Sequence, residues 1–300
     1  QSIYITETLL VSFWHVACVI YYIIINMKIT EFNKQFPTDD KCLDHLFNSR
    51  FGHMKECPSC KNSFKYYRVK NRKSYECNNC GNQIYPMAGT IFESSTTSLK
   101  DWYYVIYLFS VSKNGVSGKE IQRQLGVTYK CAWRIGHQVR KLMSGDTKLE
   151  GLVEVDESLY GGKSHGKRGW GAHGKVCLFG MIERNGNVCV KAVPNRKQET
   201  IIPIIENHVT KDSTINSDKY SAYKALPKSG YTHMVKNGKD IHINSMEGYW
   251  GNFKKAVLGT HSWVSPQHLQ TYLNEFQFRH NNRKSSVPMF SLMLGKINEA

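Results

Sequence analysis

Acidic residues are in short supply: 24 Asp and Glu stand against 40 Lys and Arg in 300 residues, a formal charge of +16. That deficit points to an anionic partner, either nucleic acid or an acidic membrane surface. Internal repeats and low-complexity segments are absent. The apolar run Leu9–Ile25 has no positively charged stretch before it and no small-residue cleavage site after it, so a secretory signal peptide is a poor match. The nine cysteines are an odd number, and only four fall in tight pairs, Cys57/Cys60 and Cys77/Cys80. That excludes an ordinary secreted disulfide framework and fits a reducing cytoplasm or nucleus. What is present is ample apolar material, 41% of residues, enough for packed cores, and a length that suits two or three domains.

The chain divides by composition. Residues 1–26 are expected to be a non-native or upstream extension, since Met27 opens an ordinary sequence; a membrane anchor or a buried or partner-binding helix are the alternatives. Residues 27–50 read as a helical lead-in with Phe32, Phe36, Cys42, Leu43, Leu46 and Phe47 apolar. Residues 51–97 carry the cysteine pairs, and 98–148 are helical. Within them, Ser117-Gly118-Lys119-Glu120 has the capping-box pattern, and a helix from Lys119 is expected to end at Gly126. From 149 to 300 the pattern becomes α/β with a mixed sheet. Strands are expected at Leu152–Asp156, Lys175–Ile182, Val188–Val193 and Asp212–Asp218, with Asn185-Gly186-Asn187 as a hairpin turn. Helices are expected at 198–209, 244–258 and 265–279.

Cys57-x₂-Cys60, sixteen residues, then Cys77-x₂-Cys80 is the spacing of a four-cysteine zinc site, with Gly81 suited to the knuckle turn. Few aliphatic residues lie between the pairs, so metal is expected to supply the folding energy. Four thiolates leave no open position, so Zn²⁺ here is structural. Lys61, Lys65, Arg68, Lys70, Arg72 and Lys73 suit phosphate contact or a solvated face. Gly118–Leu142 has the layout of a helix-turn-helix, with Lys130, Arg134, His137, Arg140 and Lys141 as polar candidates on the second helix and Trp133 expected in the core.

Three carboxylates draw attention. Asp156 ends a hydrophobic strand, Asp218 ends another, and Glu247 shares a helix face with Asn244, three positions earlier, and with Lys254, two turns later. Hard oxygen ligands hold Mg²⁺ or Mn²⁺ with coordination positions left open. Two such ions activate a nucleophile and stabilise the leaving oxygen in phosphodiester chemistry. Gly161–Gly169 is a flexible basic loop without the P-loop pattern; Lys163, Lys167 and Arg168 are its candidate phosphate contacts.

Residues 150–283 resemble the DDE domain of a bacterial insertion-sequence transposase family related to the eukaryotic Merlin elements. The matching stretches are Val153-Glu154-Val155-Asp156-Glu157, Gly161-Gly162-Lys163, Asn216-Ser217-Asp218, His242–Trp250, Tyr272–Phe276 and Arg279–Arg283. The front end also resembles that family's zinc ribbon and helix-turn-helix. The resemblance implies a ribonuclease-H-like catalytic domain that cleaves DNA and transfers strands at terminal inverted repeats. It implies Asp156 and Asp218 as ligands of catalytic divalent ions, with Glu247 or Asn244 as the third. Lys254 or Lys255 resembles the family's trailing lysine and is expected to hold the DNA end; His242 is either a helper in that or structural. Double-stranded DNA is the implied partner, both inverted repeats and target, with a homo-oligomer in the synaptic complex and no membrane. The place is the cytoplasm, or the nucleus of a eukaryote. The rival is a non-enzymatic zinc-ribbon and helix-turn-helix DNA-binding protein, such as a domesticated transposase.

Overall fold

The computed structural model describes residues 27–162, 169–170, 174–238 and 240–298. The expected extension 1–26 and the loop residues Lys163, Lys167 and Arg168 lie outside them. The chain forms two compact units. Among the described residues, the first comprises 27–113, Gly118–Leu142 and 285–298; the second comprises Asn114–Ser117 and the described part of 143–284.

In the first unit the lead-in is two helices, α1 (Ile29–Gln35) and α2 (Asp39–Phe51). Pro37 separates them, because the residue before proline is pushed out of helical space, and Thr38 then caps α2 by accepting from the Lys41 N–H. Their apolar face joins α3 (Leu99–Val111) and the late helix α9 (Met289–Gly295). Phe32 and Phe36 pack edge to face or tilted against Phe290, and Phe36 against Tyr103, at centroid distances of 5.0–6.0 Å. The last residues therefore pack with the front end, whereas the composition had assigned them with the α/β region. Three short antiparallel strands, β1 (Tyr66–Arg68), β2 (Tyr75–Cys77) and β3 (Gln83–Ile84), form the ribbon. Phe47 of α2 stacks on Tyr75 at 3.9 Å, giving the ribbon the apolar wall that its own sequence lacks. Helices α4 (Gly118–Leu125) and α5 (Tyr129–Lys141) follow, joined through Gly126 in the left-handed conformation (φ +66°) and capped by Thr128.

The second unit is a five-stranded mixed sheet: β4 (Leu152–Tyr160), β5 (Val176–Glu183), β6 (Val188–Val193), β7 (Thr214–Ser217) and β8 (Thr232–Val235), in the order β6-β5-β4-β7-β8. The β4–β5 and β5–β6 pairs are antiparallel; β4–β7 and β7–β8 are parallel. Strand β4 runs four residues beyond Asp156, so that aspartate lies inside the strand and not at its end, held there by pairing with Gly180. One face buries Val153, Val155, Phe179 and Met181 against Ile201 and Ile205 of α6 (Gln198–His208). The other buries Leu178, Ile182, Val188 and Val190 against Met246, Trp250 and Phe253 of α7 (Asn244–His261) and Leu273 of α8 (Leu269–Asn281). Side-chain amides of α8 cover the β6 edge: Gln270, Gln277 and Asn281 accept from the N–H groups of Ala192, Val190 and Val188 at 2.8–2.9 Å. Among the described residues no helix is long and apolar enough to cross a membrane.

Candidate metal centres and the carboxylate row

The four cysteines of the ribbon converge, with all four Sγ atoms within 4.8 Å of one another. Two knuckles of the same build present them. The Lys61 N–H bonds the Cys57 carbonyl at 3.0 Å, and the Gly81 N–H bonds the Cys77 carbonyl at 3.1 Å. Lys61 and Gly81 both adopt positive φ, so the first knuckle places lysine where the second has glycine. Tetrahedral Zn²⁺ with Zn–S of about 2.3 Å requires S···S edges of about 3.8 Å. The observed Cys57–Cys80 and Cys60–Cys77 separations are 3.8 and 3.9 Å, so the donor set fits zinc in chemistry and size. Burial raises the Cys57 thiol, but the Tyr66 hydroxyl and the backbone of Cys60 and Ser59 outweigh it and bring it down to about 6. At Cys60 the Asn62 N–H pulls down, but burial and the hydrogen bonds to the other cysteines outweigh it and push the thiol up to about 11, so the four sulfurs ionise together only with a cation between them.

The carboxylates assemble on the parallel side of the second unit's sheet. Glu154 pairs with Asn216, and Asn216 with Met234. Two residues on, past the end of pairing, the same row reads Asp156, Asp218, Lys236. Neighbouring strands are about 4.8 Å apart, and residues two apart share a face. Asp218 closes a small turn, its Oδ1 accepting from the Tyr220 N–H at 2.9 Å. Burial, then the negative charges of Asp218 and Glu247, raise Asp156 to about 6. This mutual repulsion is what a divalent cation relieves. Among the described residues, only the four cysteines bring three or more potential ligand atoms within 4.8 Å of one another, so the carboxylate set is the more open of the two.

Helix α7 brings the third carboxylate, and β4 fixes it in place. Glu154 is fully buried. It accepts from the Ser245 N–H (2.8 Å), the Ser245 hydroxyl (3.0 Å) and the Met246 N–H (3.3 Å) at the start of α7, and from Arg184 at 3.0 Å. A carboxylate at this end satisfies orphan N–H groups and complements the helix dipole. Four residues along β4, Ser158 accepts from the Lys254 Nζ at 2.6 Å. Four strand residues and the nine helix residues from Ser245 to Lys254 both span about 13 Å. Strand and helix therefore run side by side, with Asp156 and Glu247 between the two anchors. Asn244 and Glu247 are both exposed in the first turn of α7. Burial lowers the Lys254 ammonium, while Asp156 raises it. His242 lies 3.7 Å from Glu154 and 3.3 Å from Arg184, which ties it to the anchor of α7.

Glu154 and Lys236 escape a reading of the sequence alone. The signal for Glu154 was its two-residue spacing from Asp156, which puts both on one strand face. Glu157, on the opposite face, is pushed up to about 7, first by burial and then by Asp218 and Asp156, with the Tyr223 hydroxyl pulling the other way.

The basic candidates scatter. Lys130 and Lys255 are exposed. Arg134 is half-buried, its guanidinium 5.5 Å over the Trp102 ring. Arg140 corrects the expectation of a DNA contact: it is buried, with its guanidinium 5.0 Å over Phe109, because position 140 falls on the inward stripe with Ala132, Gly136 and Val139. Trp133 departs in the other direction, being 37% exposed and stacked on His137 at 3.8 Å. In the run Arg279–Lys284, Arg279 pairs with buried Glu275, and His280 and Arg283 bond the Gly186 carbonyl of the β5–β6 hairpin. In the ribbon, Lys61, Lys65, Lys70, Arg72 and Lys73 are exposed, and Arg68 pairs with Asp40 at 3.1 Å.

Comparison with known proteins gives a consistent result. Residues 148–281 match the ISXO2-like transposase domain, and residues 37–83 match the transposase zinc-ribbon domain. A protein in transposable element ISH50 of Halobacterium salinarum is 26% identical over 275 residues, covering 82% of this chain and 92% of the relative. A transposase-like protein of Haemophilus influenzae is 31% identical over 96 residues, covering 30% of this chain and 77% of the relative. With a cysteine cluster sized for zinc in one matched segment and the aspartate row in the other, the chain belongs to the insertion-sequence transposases that carry an ISXO2-like transposase domain behind a transposase zinc ribbon.

Proposed function

We propose that this transposase cleaves and joins DNA with divalent ions held by Asp156, Asp218 and Glu247. The observation that carries the reading is the row that sets Asp156 beside Asp218 on parallel neighbours β4 and β7, with Glu247 anchored over it on α7. Oxygen ligands of this kind suit Mg²⁺ or Mn²⁺; when bound, the ions supply a stronger nucleophile and stabilise the leaving oxygen. The order β6-β5-β4-β7-β8, three antiparallel strands followed by two parallel ones, supports a ribonuclease-H-like domain. Glu247 is preferred to Asn244 as third ligand, because its charge bears on Asp156 and a carboxylate holds Mg²⁺ better than an amide. Lys254, fixed beside Asp156 through Ser158, and Lys255 on the exposed face are the phosphate contacts nearest the chemistry.

In this reading, the zinc ribbon and the α4–α5 pair bind double-stranded DNA, terminal inverted repeats first and target second. Lys130, Arg134 and the exposed ring of Trp133 lie on the outward part of α5, and the ribbon's exposed lysines contact phosphates. Lys163, Lys167 and Arg168 are assigned phosphate contact on sequence alone. Cleavage of paired ends assigns the active form to a homo-oligomeric synaptic complex.

The test uses a labelled duplex carrying the element's own end. With Mn²⁺, wild-type protein nicks it; Asp156→Asn and Asp218→Asn bind with unchanged affinity and do not cut. Cutting by Asp156→Asn at the wild-type rate removes that residue from the site. Absence of metal-dependent cutting by wild-type protein favours the non-enzymatic DNA-binding alternative.

A further inference from the structure

The row that holds the two aspartates has a third member that is not acidic. Lys236 follows β8 directly, and its N–H bonds the Ser217 carbonyl at 2.8 Å, extending the β7–β8 ladder by one step. The backbone therefore sets Lys236 beside Asp218 as it sets Asp218 beside Asp156. The Lys236 Nζ lies 2.7 Å from the Glu247 Oε1. Its side chain is 35% exposed, and the other end of the pair, Glu247, is the more exposed of the two. One ammonium thus neutralises part of a cluster of three carboxylates and holds the one that comes from the helix.

We propose that Lys236 is the resident counter-cation of the carboxylate row, that a divalent ion displaces it from Glu247, and that the released ammonium then contacts a phosphate of the DNA strand at the site. The inference rests on the metal-dependent reading above. A carboxylate engaged by an ammonium at 2.7 Å has one oxygen withheld from a metal. The more open spread of the carboxylates, compared with the cysteines, is consistent with a helix ligand drawn toward lysine. Binding a divalent ion places positive charge near Nζ and removes its carboxylate partner, so Lys236 is driven toward an anion. The anion that the reaction brings is phosphate. Because Lys236 is held by its main chain, the side chain is free to move without breaking the sheet.

The two halves of the exchange predict opposite signs for one substitution, which a merely structural role does not. In zinc-loaded full-length protein, Mn²⁺ binding is followed by electron paramagnetic resonance of the free ion. Asp156→Asn defines the signal that belongs to the row. Lys236→Gln is expected to bind Mn²⁺ roughly two- to fivefold tighter, the scale of losing one partly exposed ion pair. DNA affinity is then measured against salt concentration with and without Ca²⁺. In wild type, Ca²⁺ steepens the salt dependence by roughly 0.9 in slope, one released counterion; in Lys236→Gln it does not. Lys236→Arg restores both behaviours. Unchanged or weaker Mn²⁺ binding by Lys236→Gln overturns the proposal, as does an undiminished Ca²⁺ effect on its salt slope. If instead wild type shows no Mn²⁺ binding that Asp156→Asn removes, it is the metal-dependent reading itself that fails.

Discussion

Replacing Glu154 with Gln tests the anchor on which the third carboxylate depends. The Glu154 Oε1 accepts from Arg184 Nε and Nη2 and from the Ser245 hydroxyl; Oε2 accepts from the Ser245 and Met246 N–H groups. An amide has one oxygen. Whichever way it turns, its NH₂ meets either the guanidinium or the first N–H groups of α7, donor against donor. Removing one partner of a buried ion pair costs about 3–5 kcal/mol. Arg184 is 29% exposed and can rehydrate, which argues for the lower end, about 3 kcal/mol, including about 0.5 kcal/mol for a carboxylate lost from a helix N-terminus. That corresponds to roughly hundredfold faster amide exchange in the first turns of α7. Hydrogen exchange with mass spectrometry of peptides covering 244–261 reads it, with peptides from α3 as an internal control. Weaker Mn²⁺ binding should accompany it, because Glu247 sits one and two residues from the bonds lost. Exchange within threefold of wild type would falsify the anchor.

Gly180 lies opposite Asp156, and a Cβ there would stand 2.5 Å from the Met246 Cε and 2.6 Å from the Trp250 Cζ2. Met246 can yield and the indole cannot, so Gly180→Ala is expected to cost about 1–3 kcal/mol and to weaken Mn²⁺ binding by shifting α7, as urea unfolding and metal titration will report. Removing zinc with a chelator should open residues 55–84 to protease while the fragment from 149 to 284 stays resistant, because the ribbon has little apolar core of its own; equal susceptibility of both refutes this. Asp156 and Glu157 have folded-state pKa values of about 6 and about 7, raised chiefly by burial. A carboxyl raised in this way stabilises the fold fully below its ordinary value near 4, and that contribution is lost as pH rises through 6 to 7. Metal-free protein should therefore lose on the order of 3 kcal/mol of stability in the second unit between pH 4.5 and 7.5. Mn²⁺ should offset the loss at the upper end and not at the lower. A flat metal-free profile, measured by exchange of β4 and β5 amides, contradicts the burial of these two groups.

Legibility in the sequence followed the strength of the local signal. The cysteine spacing carried the ribbon, since two CxxC turns can only point four thiols at one place. Asp156 and Asp218 were legible as the ends of apolar runs, although β4 continues to Tyr160 because its later residues pair with β5 and half-face α7. The lead-in was expected as one helical stretch, whereas it is two helices parted at Pro37-Thr38-Asp39, a stop followed by a cap. Strand β8 was not legible: Thr232-His233-Met234-Val235 is a mostly exposed edge without alternation, formed because β7 supplies a partner. Missing it hid Lys236. Arg140 was misjudged by residue type, for its position on the α5 stripe points inward and the stem and guanidinium pack over Phe109. Glu154 was passed over because a charged residue between two valines reads as the solvent face of a strand, whereas here that face is covered by α7.

The sheet's mixed topology accounts for the composition of the site. Strands β4, β7 and β8 run in the same direction, so one row crosses all three just where pairing ends, and ligands in open α/β sheets gather at the carboxyl ends of parallel strands. Strands β5 and β6 lie on the other side of β4 and are paired through the level of Asp156, with Gly180 left bare there so that α7 can approach. They offer no carboxylate in the row. A third acid has to arrive from outside the sheet, and it has to come from an element registered against β4. Helix α7 meets that condition through Glu154 at its start and Ser158 at its third turn. Two consequences can be separated by experiment: shortening α7 beyond Lys254 should leave Mn²⁺ binding intact, whereas inserting one alanine between Ser245 and Glu247 rotates the ligand by about 100° and should abolish it. Retained binding in the insertion variant would mean that Asp156 and Asp218 suffice and that the helix contributes no ligand.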